Sequence, residues 1–147
     1  MQQGVYYFLG LAVGMGLIVQ VGMNSTLRSH LGSPIVAALV SFLVGSAALA
    51  AYVILLRTPL PARAQVALVP AWAWLGGLLG AFYVASSVIV GPRLGAATLL
   101  ALVVLGQLVT SLLVDHYGWL GFPPHPLSLA RVAGGILLFA GVLLITR

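Results

Sequence analysis

Several polar side chains occur inside long apolar runs of the sequence, at the four-residue spacing that places side chains on one face of a helix. In the first run, Gln20 and Asn24 share such a face, and Arg28 continues the row if the helix extends that far. A second row follows later in the chain: Gln107, Ser111 and Asp115. Amides in such rows either line a cavity that binds a small polar solute or hydrogen-bond neighbouring helices together. For Gln20, Asn24 and Gln107 we favour the cavity and keep helix packing as the alternative.

Further hydroxyl groups lie in the other apolar runs. Ser41 belongs to the second run, whereas Tyr83 and Ser87 belong to the third. For the serines, a hydrogen bond to the backbone or to another helix is the favoured role. The candidates for the lining of a substrate cavity are Gln20, Asn24, Ser41, Tyr83, Ser87, Gln107 and Ser111.

Charged residues that could gate a pathway or form an ion pair are few. The candidates are Arg28, Arg93, Asp115 and His116. Asp115 is the single acidic residue of the chain and ends an apolar run. It either pairs with an arginine at the depth of the lipid headgroups or acts as a gate or ion-coupling group. Because water reaches that depth, we expect Asp115 to stay ionised. This favours facilitated diffusion, or coupling to an ion other than the proton. As the substrate, it favours a neutral or weakly polar metabolite over a permanent cation.

Other chemistries lack the residues that they need. The histidines are His30, His116 and His125, and none has a cluster of carboxylates or cysteines beside it, so no metal site is predicted. The sequence has no phosphate-binding glycine loop and no serine–histidine–carboxylate set, so neither an enzyme nor a cofactor is predicted. The six arginines are scattered between apolar runs, which does not form the basic patch of a nucleic-acid-binding protein.

The elements that carry these residues must lie in lipid. Hydrophobic residues make up 62% of the 147 residues, and the four charged types together make up 5%. A soluble domain draws about a quarter of its residues from those four types, so water cannot solvate the outside of this chain. Long continuous apolar runs indicate helices rather than the short alternating strands of a barrel. The sequence therefore predicts an all-α integral membrane protein that is surrounded by lipid.

Five of the apolar runs meet or approach the length of about 20 residues that a membrane-spanning helix needs. We predict a single domain over residues 1–147 with helices at residues 4–23, 34–56, 71–90, 94–114 and 129–146. The connections are then Asn24–Ser33, Arg57–Pro70, a tight turn at Gly91-Pro92-Arg93, and Asp115–Pro126. Ser128 is a plausible N-cap of the fifth helix. Glycines four residues apart indicate close helix packing: Gly10 with Gly14, and Gly76 with Gly80.

The arginines give no preferred orientation to this arrangement. If five helices span the membrane, one side holds Arg57, Arg63 and Arg131, and the other side holds Arg28, Arg93 and Arg147. Orientation normally follows an excess of basic residues in the cytoplasmic loops. An equal division predicts that the chain inserts in both directions, unless another feature sets its topology.

Several short motifs follow one another along the chain. The first helix carries Gly16-Leu17-x-x-Gln20-x-x-Met23-Asn24-x-x-Leu27-Arg28, and Ser33-Pro34 follows with Ser41 and Gly45. The third helix carries Gly76-Gly77-x-x-Gly80-Ala81-Phe82-Tyr83-Val84, and Pro92-Arg93-Leu94-Gly95-Ala96-Ala97-Thr98 follows with Gln107. Asp115-His116-Tyr117-Gly118 and His125-Pro126-Leu127-Ser128 complete the set. This combination covers essentially the whole chain and resembles the YdcZ-like family of the drug/metabolite transporter superfamily.

The resemblance implies a multi-pass protein of the bacterial inner membrane, five helices long and half the size of ten-helix relatives. At the level of the superfamily, the chain is also similar to the small multidrug resistance exporters, which carry a carboxylate within the first helix. Gln20 is the only strongly polar residue within the predicted first helix here. This difference argues against proton-coupled drug export.

We therefore expect a small-molecule secondary transporter that functions as an antiparallel, dual-topology homodimer with a central substrate cavity. Secondary transporters are commonly built from inverted repeats around a site at the membrane midplane, and a second, inverted copy would supply the other half. The alternatives are a small dual-topology ion channel and a non-transporting membrane assembly partner.

Overall fold

A computed structural model describes residues 2–147 of the protein. Helices and their connections account for all of these residues, and no strand occurs among them. The helices are α1 (Gln2–Leu31), α2 (Pro34–Leu55), α3 (Arg63–Ala67), α4 (Gly76–Leu94), α5 (Ala96–Tyr117) and α6 (Leu129–Ile145). Short 3₁₀ helices precede α4 at Ala71–Leu75 and follow α5 at Trp119–Gly121. The all-α prediction is confirmed.

Four helices within the described residues are long and apolar enough to cross a membrane: Gln3–Leu31, Pro34–Leu55, Ala71–Leu94 and Ala96–Tyr117. The sixth helix, α6, is apolar but has 17 residues. At about 1.5 Å per residue it is roughly 26 Å long, against a hydrocarbon core of about 30 Å. The fifth membrane span therefore stays a prediction.

The first helix is longer than the sequence suggested, because the segment predicted as the connection Asn24–Ser33 is helical as far as Leu31. The hydroxyls of this segment bond to the helix itself: Thr26 Oγ1 donates to the Gly22 carbonyl at 3.1 Å, and Ser29 Oγ donates to the Thr26 carbonyl at 2.7 Å. Polar side chains that are satisfied in this way do not end a helix. α1 ends where Gly32 adopts a φ of 72°.

The third predicted helix is shifted towards the C-terminus. Its first residues form the 3₁₀ helix, and α4 runs on through Pro92 to Leu94, where a tight turn was expected. The break instead occurs at Gly95, whose φ of 82° favours a residue without a side chain. α5 accordingly begins and ends two to three residues later than predicted and ends at Gly118, which has a φ of 64°.

Two serines begin helices at the expected positions. The Ser33 hydroxyl accepts a hydrogen bond from the backbone N–H of Val36, and the Ser128 hydroxyl accepts one from the N–H of Arg131. Each bond satisfies one of the free N–H groups at a helix start. Pro34 occupies the first turn of α2, where its missing N–H removes no helical bond. Both helices begin at the predicted residue and end within one residue of the predicted bound.

The chain divides into two compact units, residues up to Pro92 and residues Arg93–Arg147. In the first unit α1 packs against α2, and in the second unit α5 packs against α6. Few large apolar side chains are buried, and Leu129 at the start of α6 is 91% exposed. Apolar exposure on this scale requires lipid around the helices. The organisation into a single domain stays a prediction.

Candidate functional site

A polar groove lies between α1 and α2 in the first unit. Gln20 lines it from α1, and Ser41 and Ser46 line it from α2, beside Phe42, Gly45 and Leu49. Its volume is about 230 Å³, somewhat below the roughly 300 Å³ at which ligand sites usually begin. Two of the predicted cavity residues, Gln20 and Ser41, thus come together from different helices. The groove is large enough for a small solute or for one part of a larger cavity.

Asn24 lies one helical turn beyond Gln20 on α1. Its side chain is only 3% exposed, so it is the most buried amide among the described candidates. An amide at this depth requires hydrogen-bond partners from protein or solvent. Asn24 and Gln20 therefore form a polar stripe that runs from the groove into the protein.

The hydroxyl candidates on α4 have a different role in the structure. Ser87 is buried, and its Oγ donates a hydrogen bond to the carbonyl oxygen of Tyr83 one turn earlier, at 2.7 Å. Tyr83 itself is half-buried. Because the single hydroxyl proton of Ser87 is engaged by the backbone, this serine has no proton left to donate to a solute. Neither residue lines the groove beside Gln20.

In the second unit, Gln107 and Ser111 are exposed on α5. An amide on a membrane helix that faces lipid leaves its hydrogen-bonding groups unsatisfied, at a cost of a few kcal/mol. The side chains of Gln107 and Ser111 therefore need polar groups around them. Their role as cavity residues stays a prediction.

Only one of the four packing glycines lies at a close approach between helices. A Cβ atom added at Gly80 on α4 would lie 3.3 Å from Cζ of Phe42 on α2, which shows that the ring packs over the glycine. A Cβ added at Gly10, Gly14 or Gly76 would meet no atom within 4 Å. Close packing at these three glycines stays a prediction.

Arg28 joins α1 to α4 at the site of the helical proline. In a regular helix the carbonyl of Val88 would accept a hydrogen bond from the N–H of residue 92, but Pro92 has no N–H. Nη1 of Arg28 donates to this freed carbonyl at 2.9 Å. The helix can continue through Pro92 because a side chain from another helix satisfies the carbonyl. Arg28, predicted as a gate or ion-pair residue, is thus part of the backbone bonding of α4.

An open polar recess surrounds the remaining part of the Arg28 side chain. Its lining is Ser25, Thr26, Arg28, Ser29 and Pro92, and its volume is about 500 Å³. All five residues belong to the first unit. Arg28 is half-buried, so the protein covers part of its side chain and leaves the rest accessible.

Asp115 forms a salt bridge with Arg131, in which Nη2 of the arginine faces Oδ2 of the carboxylate. Arg131 also donates from Nη1 to the carbonyl of His125 at 2.8 Å, and the His125 N–H donates to the Asp115 carbonyl at 2.7 Å. The His116 ring accepts from the Leu127 N–H through Nδ1 at 3.3 Å. These bonds fasten the connection between α5 and α6 to the ends of both helices. Arg93, the remaining gate candidate, is exposed.

Two hydrogen-bonding partners of the predicted residues, Val88 and Arg131, were absent from the sequence-based candidates. Val88 contributes only a backbone carbonyl, and its availability depends on Pro92 four residues later. Arg131 lies in the first turn of α6, which faces the end of α5 across one connection. A proline inside an apolar run and an arginine at the next helix start are the two signals that could have identified these partners.

The fold with four helices of membrane-spanning length defines a multi-pass membrane protein. A family model described as "Putative inner membrane exporter, YdcZ" matches residues 5–144. The chain belongs to this family. It is 29% identical to the inner membrane protein YdcZ of Escherichia coli (strain K12) over 147 residues, which is 100% of this chain and 98% of the relative. No solved structure matches the chain.

The family confirms the resemblance seen in the sequence motifs. It also confirms the predicted location, a multi-pass protein of the bacterial inner membrane. The description of the family is that of a transporter and not that of an enzyme.

Proposed function

We propose that the protein is a secondary transporter that exports a small molecule across the inner membrane as an antiparallel homodimer. The observation that carries this proposal is the polar groove between α1 and α2, where Gln20 and Ser41 meet inside apolar helices. Membership of an exporter family supports the direction of transport. The groove is the binding surface that each copy contributes to a central cavity.

The exposed amide on α5 supports a second copy. Gln107 and Ser111 lie one turn apart on a helix that is long and apolar enough to cross the membrane. Lipid cannot satisfy their polar groups, whereas a cavity between two copies can. In the proposed dimer Gln20, Asn24 and Gln107 face this cavity, and Gly10, Gly14 and Gly76 allow helices of the two copies to approach closely.

Five spans and opposite insertion belong to the same proposal. α6 has 17 residues, which is the lower limit for a spanning helix, and a bilayer can thin locally to match a short one. The three-to-three division of the arginines then leaves both orientations available. An inverted pair supplies the two repeats that alternating access uses.

Coupling to protons has little support in the described geometry. The single carboxylate of the chain, Asp115, is paired with Arg131 at the ends of α5 and α6. The carboxylate lies in the last turn of α5 and not in the middle of a helix of membrane-spanning length. We therefore propose facilitated diffusion or coupling to another ion, for a substrate without a permanent positive charge.

Flux through liposomes separates the transporter from a channel and from an assembly partner. Purified protein is reconstituted, the liposomes are loaded with radiolabelled metabolites of each charge class, and efflux is measured. A transporter gives a saturable flux that is stimulated by unlabelled substrate on the opposite side. A flux that follows the ion gradient without saturation indicates a channel instead, and no flux for any solute indicates an assembly partner.

Opposite insertion is tested by changing the charge of one loop. Thr58→Lys with Ala64→Lys adds two positive charges between α2 and α4, both at exposed positions, and should fix one orientation and lower transport. Thr58→Gln with Ala64→Gln is the uncharged control. Co-expression with a copy biased by two lysines after Arg147 should restore transport. If the biased variant assembles and transports unaided, the functional unit is not an antiparallel pair.

A further inference from the structure

The guanidinium of Arg28 has a capacity for hydrogen bonding that α4 does not use. A guanidinium carries five N–H donors in a planar fork, and the bond to the Val88 carbonyl uses one of them. That bond also fixes the position of the side chain at the edge of the recess formed by Ser25, Thr26, Ser29 and Pro92. A fork that is positioned in advance loses little freedom when it binds a planar or tetrahedral anion.

The charge around this recess favours an anion. The first unit contains no acidic residue, because Asp115 is the only one in the sequence and lies in the second unit. Asp115 is itself paired with Arg131. The positive charge of Arg28 therefore has no carboxylate partner within its own unit, and this charge repels a cation from the recess.

The hydroxyls of the recess differ in what they can contribute. Thr26 and Ser29 both donate their single hydroxyl proton to backbone carbonyls of α1. Ser25 is half-buried, lines the same recess and lies three residues before Arg28 on the same helix. Arg28 and Ser25 are therefore the groups that can donate to a bound anion, while Thr26 and Ser29 keep the wall polar.

We propose that this recess is a binding site for a small anionic group, a carboxylate or a phosphate, held by Arg28 with Ser25. The group belongs either to a soluble metabolite or to the headgroup of an anionic lipid, since both present the same oxygens to the guanidinium. The site is independent of the transport proposal, because it requires neither the second copy nor flux. The recess lies further along α1 than the Gln20 groove, so it is a second polar site of the first unit.

The test must separate anion binding from the structural role of Arg28. Replacement of Arg28 alone leaves the Val88 carbonyl without a donor and destabilises α4. The Pro92→Ala variant restores the backbone N–H at position 92, which satisfies that carbonyl within the helix. The second lone pair of the carbonyl can still accept from Arg28, so the guanidinium keeps its position in this background. Arg28→Gln is therefore compared with its parent in the Pro92→Ala background, and Arg57→Gln, which removes an exposed arginine from a loop, is the matched control.

Binding is measured on purified protein by calorimetry and thermal shift, with inorganic phosphate and acetate as the soluble probes. Ionic strength is held constant with chloride. In a second arm, stability is compared in nanodiscs of phosphatidylglycerol and of phosphatidylcholine. We expect Arg28→Gln in the Pro92→Ala background to weaken anion binding roughly tenfold or more, because a hydrogen bond to a charged group is lost. The control Arg57→Gln should leave anion binding unchanged.

The two arms distinguish the sources of the anion. A preference for phosphatidylglycerol that depends on Arg28 identifies a lipid headgroup, whether or not inorganic phosphate also binds. Binding of phosphate or acetate that depends on Arg28, without any preference for phosphatidylglycerol, identifies a soluble ligand. Ser25→Ala should weaken the same interaction to a smaller extent. The proposal is overturned if no probe binds, or if binding is equally strong with and without the Arg28 guanidinium. Because the measurement needs no flux, its outcome is separate from that of the transport assay.

Discussion

The bond between Arg28 and the Val88 carbonyl predicts that Arg28 and Pro92 are energetically coupled, although they lie 64 residues apart in the sequence. In the natural protein, Arg28→Gln removes a charged donor from a carbonyl that has no other helical partner. In the Pro92→Ala background the same substitution removes a donor that the carbonyl no longer needs. The cost of losing Arg28 should therefore be smaller when residue 92 can donate its own N–H.

The hydrogen bond between Arg28 and the Val88 carbonyl sets the size of the coupling free energy between Arg28 and Pro92. At 2.9 Å the Arg28 Nη1 to Val88 oxygen distance is that of a normal N–H···O hydrogen bond. Hydrogen bonds to charged groups contribute about 1.5–3 kcal/mol in proteins, and interhelical bonds in membranes average nearer 0.6 kcal/mol. Since Arg28 is only half-buried, we expect a coupling of about 1–2 kcal/mol, between these values.

The assay is a double-mutant cycle of unfolding free energies in lipid bicelles. Trp72 and Trp74, which precede α4, provide a fluorescence signal from the same unit. Pro34→Ala replaces a proline that removes no helical bond, because Pro34 lies in the first turn of α2, so it should show no coupling to Arg28. Arg28→Lys should retain part of the stability, because it keeps a charged donor but loses the planar fork.

If Arg28→Gln destabilises the protein equally with proline and with alanine at position 92, the guanidinium does not replace the missing helical bond. A coupling of equal size with Pro34→Ala would also contradict it, because the effect would then be a general response to proline replacement.

The remaining predictions concern the other described sites. Gln20→Ala should lower the saturable flux through liposomes by about an order of magnitude, as expected where a hydrogen bond to the substrate is lost. The control Gln65→Ala, on the exposed α3, should leave the flux unchanged. Equal fluxes for the two variants would show that Gln20 does not line the transport pathway. Asp115→Asn should cost about 0.2–1 kcal/mol of stability, because its salt bridge with Arg131 is partly exposed, and should leave proton movement during transport unchanged. A stoichiometric proton flux that disappears in this variant would make Asp115 the coupling group. The Gly80→Ala variant should be about 1 kcal/mol less stable than the Gly106→Ala variant. The methyl group added at residue 80 meets the Phe42 ring, whereas the space at Gly106 is open. Equal stabilities would mean that the Phe42 ring moves aside freely.

Properties that depend on composition and run length could be predicted from the sequence. The lipid environment and the all-α class follow from the apolar runs, and the starts of α2 and α6 follow from Ser33 and Ser128. These features are local, because a cap and the helix that it begins are neighbours in the chain. The motif set also identified the family correctly.

Features that depend on contacts between distant residues could not be predicted. Pro92 is normally a signal for the end of a helix, and α4 passes through it because Arg28, from another helix, replaces the missing donor. In the part of α1 that extends to Leu31, the hydroxyls of Thr26 and Ser29 likewise bond back to the helix. In both places the sequence shows polar or helix-breaking residues, and only their bonding partners decide that the helix continues.

The candidate site was predicted in part. The polar residues of the apolar runs include Gln20 and Ser41, which line one groove. Ser46 also lines this groove and was not among the predicted cavity residues. Ser87 has the right type and depth for a cavity residue, yet its hydroxyl bonds to the Tyr83 carbonyl. Spacing places side chains on a helix face, whereas the packing of the neighbouring helix decides which of them stay available.

The proposed functional unit is a pair of oppositely inserted copies. The sequence contains no cysteine, so single cysteines can be introduced at exposed positions beyond the two ends of α2, by His30→Cys and by Thr58→Cys. Each variant is labelled in intact spheroplasts with a maleimide that does not cross the membrane, and again after permeabilisation. If the copies insert in opposite directions, about half of the molecules are labelled from outside at each position. Nearly complete labelling at one position and almost none at the other would show a single orientation and contradict the antiparallel pair.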